Sequence, residues 1–148
     1  GWGTASSRPQ SITTKSVVQY QYTSSPYSGA WFHGLAAAQL AGATITEIRL
    51  RLPSRLVIGS YNAALSAHIY LHTSSSRPAG DVTRTAGPSD QVVTAASSWV
   101  PTFITLPLAW APTLLAGGGI GIYGSPYLGF AGIDSDPASG QLAIDWTR

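Results

Sequence analysis

The sequence predicts an all-β fold, an antiparallel β-sandwich of jelly-roll-like form with at most one short helix. Three observations carry this expectation. Two neighbouring segments alternate apolar and polar residues with period two. At least six short strand-like runs are separated by turns rich in Gly, Pro and Asp. One stretch alone has the composition of a helix. Side chains point to opposite faces along a strand, so strict alternation marks a strand with one buried face.

The alternation is clearest in Thr44–His72. Ile48, Leu50 and Leu52 fall on one side of the first segment, and Glu47, Arg49 and Arg51 on the other. In the second, Leu65, Ala67, Ile69 and Leu71 alternate with Ser66, His68, Tyr70 and His72. A helix would scatter the arginines around its circumference. Ile48, Leu50, Leu52, Leu65, Ile69 and Leu71 are therefore expected inside, with Arg49, Arg51, His68 and His72 more exposed. The intervening SRLVIGSYN, with a glycine and a polar corner, reads as a strand connection.

The remaining elements follow in order. Gly1–Ser11 is polar and unpatterned, lacks the basic and apolar regions of a signal peptide, and begins without Met. It is expected to be a linker or N-terminal arm joining the domain to something upstream. Residues 12–148 are expected to form a single β-sandwich domain, and a chain of 148 residues is long enough for a real core. Ile12–Tyr22 is rich in β-branched and aromatic residues and reads as one strand. Ala30–Ala41, closed by Gly42, is the only plausible helix. A long polar loop, residues 73–91, holds a short strand around Val82. Trp99–Leu106 reads as a strand that Pro101 confines to an edge or a strand start. Ile120–Tyr123, Tyr127–Ile133 and Gln141–Trp146 read as three more strands.

Composition narrows the function classes. Charged residues are 9% of the chain, against about 25% in ordinary soluble domains. Arg49, Arg51 and Arg55 are the only close basic group, and two of them alternate along a strand. This is a solvated face rather than a phosphate footprint, and no nucleic-acid partner is expected. Without cysteine there are no disulfides and no thiolate metal sites. No charge occurs between Asp90 and Asp134, but Pro107, Pro112 and three successive glycines break that apolar run. Lipid would leave such a backbone unsatisfied, so no membrane insertion is expected.

Several motifs invite chemistry. Gly119, Gly121 and Gly124 spell G-x-G-x-x-G, but Ile120 and Ile122 alternate inside it and Ser125-Pro126 ends it. A dinucleotide site needs that motif to open a helix. His68 and His72 have the spacing of zinc ligands on a helix. On a strand they stand about 13 Å apart and belong instead to a polar aromatic face. Asp134 and Asp136, in IDSDP, offer oxygens that could help hold calcium, although Asp and Pro are also ordinary turn residues. A glycosidase needs two carboxylates about 5–10 Å apart across a cleft. Asp81, Asp90, Asp134, Asp136 and Asp145 could supply such a pair, but nothing marks one, and no nucleophile elbow occurs. The expectation is a non-enzyme with no cofactor and no metal.

Aromatic residues are the most suggestive class. Tyr27, Trp31 and Phe32 cluster early, and Tyr123, Tyr127 and Phe130 late. Exposed rings suit sugars or protein partners. Tyr27, Trp31, Tyr123 and Tyr127, with Asp134 or Asp136 accepting hydroxyl hydrogen bonds, form the candidate ligand platform. The competing reading puts Trp31, Trp99, Trp110 and Trp146 in the core.

Three stretches resemble a known family. They are AGATITEIRLRLPSRLVIGSYNAALSAHIYLHTSSSRPAGDVTRTAGPSDQ, LPLAWAPTLLAGGGIGIYGSPYLGFAGI and SGQLAIDW. Together they resemble the C-terminal domain of minor tail proteins of bacteriophages infecting mycobacteria and related actinobacteria, from about Tyr27 onward. Where such relatives carry an acidic residue before PYLGF, this chain has Ser125. The resemblance implies a tail component of the virion, extracellular when mature and oligomeric, with a trimer slightly favoured. Its implied partners are itself, other virion proteins and a host cell-envelope glycan. A structural assembly or decoration domain is the alternative, and a glycan depolymerase a more distant one.

Overall fold

A computed structural model describes residues 10–14, 17–21, 27–34, 36–57, 62–79, 82–87, 91–124, 128–133 and 135–147. In chain order its strands are β1 (Gln10–Thr14), β2 (Val17–Gln21), β3 (Tyr27–Phe32), β4 (Thr44–Leu52), β5 (Arg55–Val57) and β6 (Leu65–His72). β7 (Arg84–Ala86), β8 (Val92–Ala95), β9 (Thr102–Leu106), β10 (Gly119–Gly124), β11 (Leu128–Phe130) and β12 (Leu142–Thr147) complete the set.

The first sheet has the order β1-β12-β4-β9. The second runs β2-β3-β10-β6-β7, with β8 also paired to β6. All pairings are antiparallel. Taking β1, β3, β4, β6, β8, β9, β10 and β12 in sequence, the sheets hold strands first–eighth–third–sixth and second–seventh–fourth–fifth. This is the double Greek key of a jelly roll. β5 and β11 add a small two-stranded sheet.

The expected inward rows meet in register. Ile48 and Leu50 of β4 lie opposite Ile144 and Leu142 of β12 on one side, and Leu106 and Ile104 of β9 on the other. In the second sheet Ile120 lies opposite both Leu71 and Trp31, and Ile122 opposite Ile69. These residues share one core with Trp110, Leu114 and Trp146. Each large aliphatic side chain removed from water here contributes about 1.5–3 kcal/mol. Leu65, at the start of β6, is only half-buried.

Four expectations need correction. Ile12–Tyr22 is not one strand: β1 pairs with β12 in the first sheet and β2 with β3 in the second, so the chain changes sheet here. Ala30, Trp31 and Phe32 are not helical; they finish β3, where Trp31 gains a buried place opposite Ile120 that outweighs local propensity. Only Ala36–Leu40 coils, as a 3₁₀ turn. The longest helical segment is instead Leu108–Leu115, a 3₁₀ turn running into α1 (Ala111–Leu115), with Pro112 at its start, where a missing N–H costs nothing. The segment read as a connection contains β5, and the strand expected around Val82 begins at Arg84.

Candidate functional site

The outward face of the second sheet is built by a glycine–ring alternation. Gly119 and Gly121 of β10 lie directly opposite His72 and Tyr70 of β6. A Cβ on Gly121 would land inside the Tyr70 ring, and one on Gly119 would come within 2.7 Å of the His72 imidazole. The glycines therefore admit two rings that lie across β10 and reach β3. Tyr70 Oη donates to the Gly29 carbonyl at 3.4 Å. His72 Nε2 donates to the Trp31 carbonyl at 2.9 Å, while its Nδ1 accepts the Ser74 N–H at 3.1 Å. These bonds fix the neutral Nε2–H tautomer. Burial lowers the His72 pKa, partly opposed by the Trp31 carbonyl. His72 was expected outside, yet it is 0% exposed and Tyr70 1%. Parity put both rings on the outer face correctly; the glycines on the next strand then buried them.

Beyond these rings the same face becomes solvent-facing. Tyr123 stacks on His68, its cross-strand neighbour, with centroids 4.8 Å apart and planes 9° from parallel. The exposed Arg84 of β7 lays its guanidinium carbon 4.5 Å from the Tyr70 centroid and 4.8 Å from that of Tyr123. Arg84 makes no hydrogen bond or ion pair among the described residues. Val92 of β8, opposite His68, is an exposed apolar neighbour.

The outward face of the first sheet differs. Arg49 bonds both oxygens of Asp145 at 3.2 and 3.4 Å, and its Nε is 3.8 Å from Glu47. Arg51 Nη1 donates to Asp136 at 2.7 Å. That bond is the main reason the Asp136 pKa is lowered; the Ala138 N–H, donating to Oδ1 at 3.1 Å, helps. Asp136 thereby anchors the loop between β11 and β12. The far end of the loop is held from β3. Trp31 Nε1 donates to Ser139 Oγ at 3.2 Å, Ser139 donates to the Ala131 carbonyl at 2.6 Å, and His33 Nε2 donates to the Gly140 carbonyl at 2.9 Å. Gly140 has φ 70°, and a Cβ there would collide with the Trp31 indole. Burial pushes the His33 pKa down to about 4, with the Gly140 bond opposing and nearby His72 adding slightly.

The candidate platform residues do not converge as a set. Trp31 is 1% exposed and belongs to the core, on the inward row with Ile120. Tyr123 lies on the outward row, about 10 Å further along β10. The Tyr27 backbone pairs with Gly124, one step out of register from Tyr123, which pairs with Ser28. Asp136 is bonded to Arg51 on the other sheet's side. Tyr127, Asp134, Asp81 and Asp90 lie outside the described residues. Trp110 and Trp146 are core, and Trp99 is packed against it with Nε1 donating to the Leu52 carbonyl at 3.4 Å.

Arg84 and Tyr70 were missed as site residues. Tyr70 shares its parity with His68, so the alternation in β6 carried a signal for it. Arg84 sits in a polar stretch whose short strand has no periodic mark. Among the described residues no group of three or more His, Asp or Glu is placed to hold a metal ion, and no helix is long and apolar enough to cross a membrane. No protein-family model matches the chain, and no curated protein matches it.

Proposed function

We propose that this chain is a non-catalytic interaction module of a phage virion tail that engages a host cell-envelope glycan. The observation that supports this reading is the solvent-facing cluster of Tyr123, His68 and Arg84 on a rigid sheet. Rings with an apolar face and a polar edge match the alternating CH and OH surfaces of a sugar. The jelly roll serves lectins and virion proteins alike, so the fold is compatible and the cluster carries the argument. The three described carboxylates, Glu47, Asp136 and Asp145, are each within ion-pair distance of an arginine, which favours structural work over acid–base work. Copies on one virion would multiply a weak single-site affinity.

The test is co-sedimentation of the labelled protein with mycobacterial envelope fractions. Binding that Tyr123→Ala, His68→Ala or the double variant weakens, with the melting temperature retained, is the expected result. Equal binding by all three variants would sink the platform.

A second reading, self-association as an assembly or decoration domain, has its own observation. Among the described residues β9 pairs only with β4; it carries no charge, bears the exposed Phe103, and is flanked by the exposed Val100 and Leu108. Natural sheets usually guard an edge with charge, and this one relies on Pro101 and Pro107 at its ends. In that reading β9 meets β9 of a second copy. Light scattering should then give a dimer that Phe103→Lys dissociates; a monomer mass for the parent protein at all concentrations would count against it.

A further inference from the structure

We propose that the glycan taken by this chain is acidic, and that Arg84 is the residue that selects it. This inference rests on the glycan reading above and sharpens it by naming the site and the charge of its ligand.

The arginines of the chain find different uses. Arg49 and Arg51 are committed to carboxylates. Arg55 is buried and gives its Nη1 to the Ala63 and Ala95 carbonyls at 2.7 and 2.9 Å. Arg84 alone of these four is exposed, and it donates to nothing among the described residues. Two tyrosine faces nonetheless hold it, so the guanidinium is positioned without being neutralised. Contact with a ring face uses the cation's charge but leaves its N–H edge available. A guanidinium fork held in this way matches the paired oxygens of a carboxylate or phosphate.

The groups around Arg84 complete the argument. Val92 and the His68–Tyr123 stack offer a shallow apolar shelf on the same face, suited to the CH side of a sugar ring. A neutral-sugar site needs acceptors for hydroxyl protons, and carboxylates usually supply them. The described carboxylates instead belong to the ion pairs of the first sheet. Among the described residues this face therefore offers a cation and donors, with no carboxylate beside them, to an acceptor-rich ligand. The shared chemistry is a ring of hydroxyls bearing an anionic oxygen group, either a uronate carboxylate or a phosphate substituent.

The experiment is calorimetric titration of the full chain and of Arg84→Ala and Arg84→Lys. The probes are an oligogalacturonate, a phosphorylated maltohexaose, neutral maltohexaose and an oligoglutamate peptide. One of the two acidic polyol probes should bind at least about tenfold more tightly than maltohexaose, the weight of one hydrogen-bonded charge. The better of the two identifies carboxylate or phosphate. Arg84→Ala should lose that preference, Arg84→Lys should keep part of it, and binding should weaken as salt rises from about 0.05 to about 0.5 M. Circular dichroism of each variant checks that the fold persists; should Arg84→Ala not fold, the partial loss in Arg84→Lys carries the test. Parent protein that prefers neutral sugar, or Arg84→Ala that binds like the parent, overturns the acidic site while envelope binding still stands. Oligoglutamate binding as tightly as the acidic polyols shows an anion site that does not read sugar and overturns the inference. A parent that binds no glycan probe and no envelope fraction takes the functional reading down with it.

Discussion

The outer faces of the two sheets solve one problem in opposite ways. Each carries the polar half of an alternating strand, β4 in the first sheet and β6 in the second. On the first sheet, arginines and carboxylates cancel one another. Glu47 and Asp145 lie directly opposite across β4 and β12, a repulsive arrangement that Arg49, between them, neutralises. On the second sheet no such exchange occurs among the described residues. Tyr70 and His72 are sunk into the gaps left by Gly121 and Gly119, and a cation rests on the rings. The lesson is that alternation assigns a side chain to a face, while the neighbouring strand decides whether that face is wet. A charge-balanced face is finished in itself. A face that ends in an unneutralised guanidinium still has a bond to offer.

The largest expected effect concerns the floor that both faces share. Leu50 lies under the Arg49–Arg51 row, is 0% exposed, and contacts the core from the centre of β4. Leu50→Ala should destabilise by about 2–5 kcal/mol in a denaturant melt. Arg49→Ala, on the same strand but outside, should cost far less. Similar losses for the two would mean that the register of β4 is wrong.

Acid should separate the buried histidines from the ion-paired Asp136 by their pH windows. Burial holds His33 down to about 4, so the unfolded chain, with its histidine near 6.5, binds a proton the folded chain refuses. Stability from this source is complete above about 6.5, falls as pH drops through that value, and is gone below about 4. The span corresponds to about 3 kcal/mol, at about 1.4 kcal/mol per tenfold change in proton affinity. His72 titrates in the same sense, because burial disfavours its charged form. On the charged side Asp136, held below its usual 3.8 chiefly by Arg51, contributes above that value and fails only as pH falls beneath it. Urea midpoints should therefore fall first below about pH 6.5, through the buried histidines, and only beneath 3.8 through Asp136. In His33→Asn the loss between about pH 6.5 and 4 should shrink; an unchanged profile would show that His33 is not its source.

The glycine–ring pairing should cost less to disturb. Gly121→Ala forces the Tyr70 ring off β10 and should destabilise by about 1–3 kcal/mol, as overpacking does. In a Tyr70→Ala background the same substitution should cost much less, since the obstacle has gone. Additive effects would mean that the ring does not lie on the glycine.

This pairing also marks where the sequence stops being legible. The inward rows of β4 and β6 follow from period-two patterning inside single segments, and the jelly-roll class from the number of short runs and the turns between them. The burial of Tyr70 and His72 depends on glycines about 50 residues away, so no local pattern could reveal it. The G-x-G-x-x-G run is strand as expected, while the turn at Ser125-Pro126 lies outside the described residues; its purpose, making room for rings, appears only once β10 lies beside β6. Trp31, named both for the platform and in the core reading, lies in the core: β3 has no alternation of its own to declare a face, and Ile120 decides it. The helix at Leu108–Leu115 hid inside an uncharged stretch whose prolines read as interruptions, although Pro112 sits in the first turn of α1.

The smallest effect tests the comparison most directly, because it asks how each arginine is held. Double-mutant cycles should give about 0.2–1 kcal/mol for Arg51 with Asp136 and about 0.5–1 kcal/mol for Arg84 with Tyr123. The two values overlap, so magnitude cannot tell the faces apart, but salt can. Between about 0.1 and about 1 M the screening length shrinks from about 10 Å to about 3 Å. The Arg51–Asp136 bond is about one-fifth exposed on both sides, with ions free to compete for either charge, and its coupling should fall. Arg84 lies against two ring faces, one of them buried, where part of the attraction is dispersion and no ion fits between. Its coupling should change less. If both couplings fall in parallel, Arg84 is an ordinary solvated charge. The ring contact would then not position it, and the contrast between the two faces would rest on burial alone.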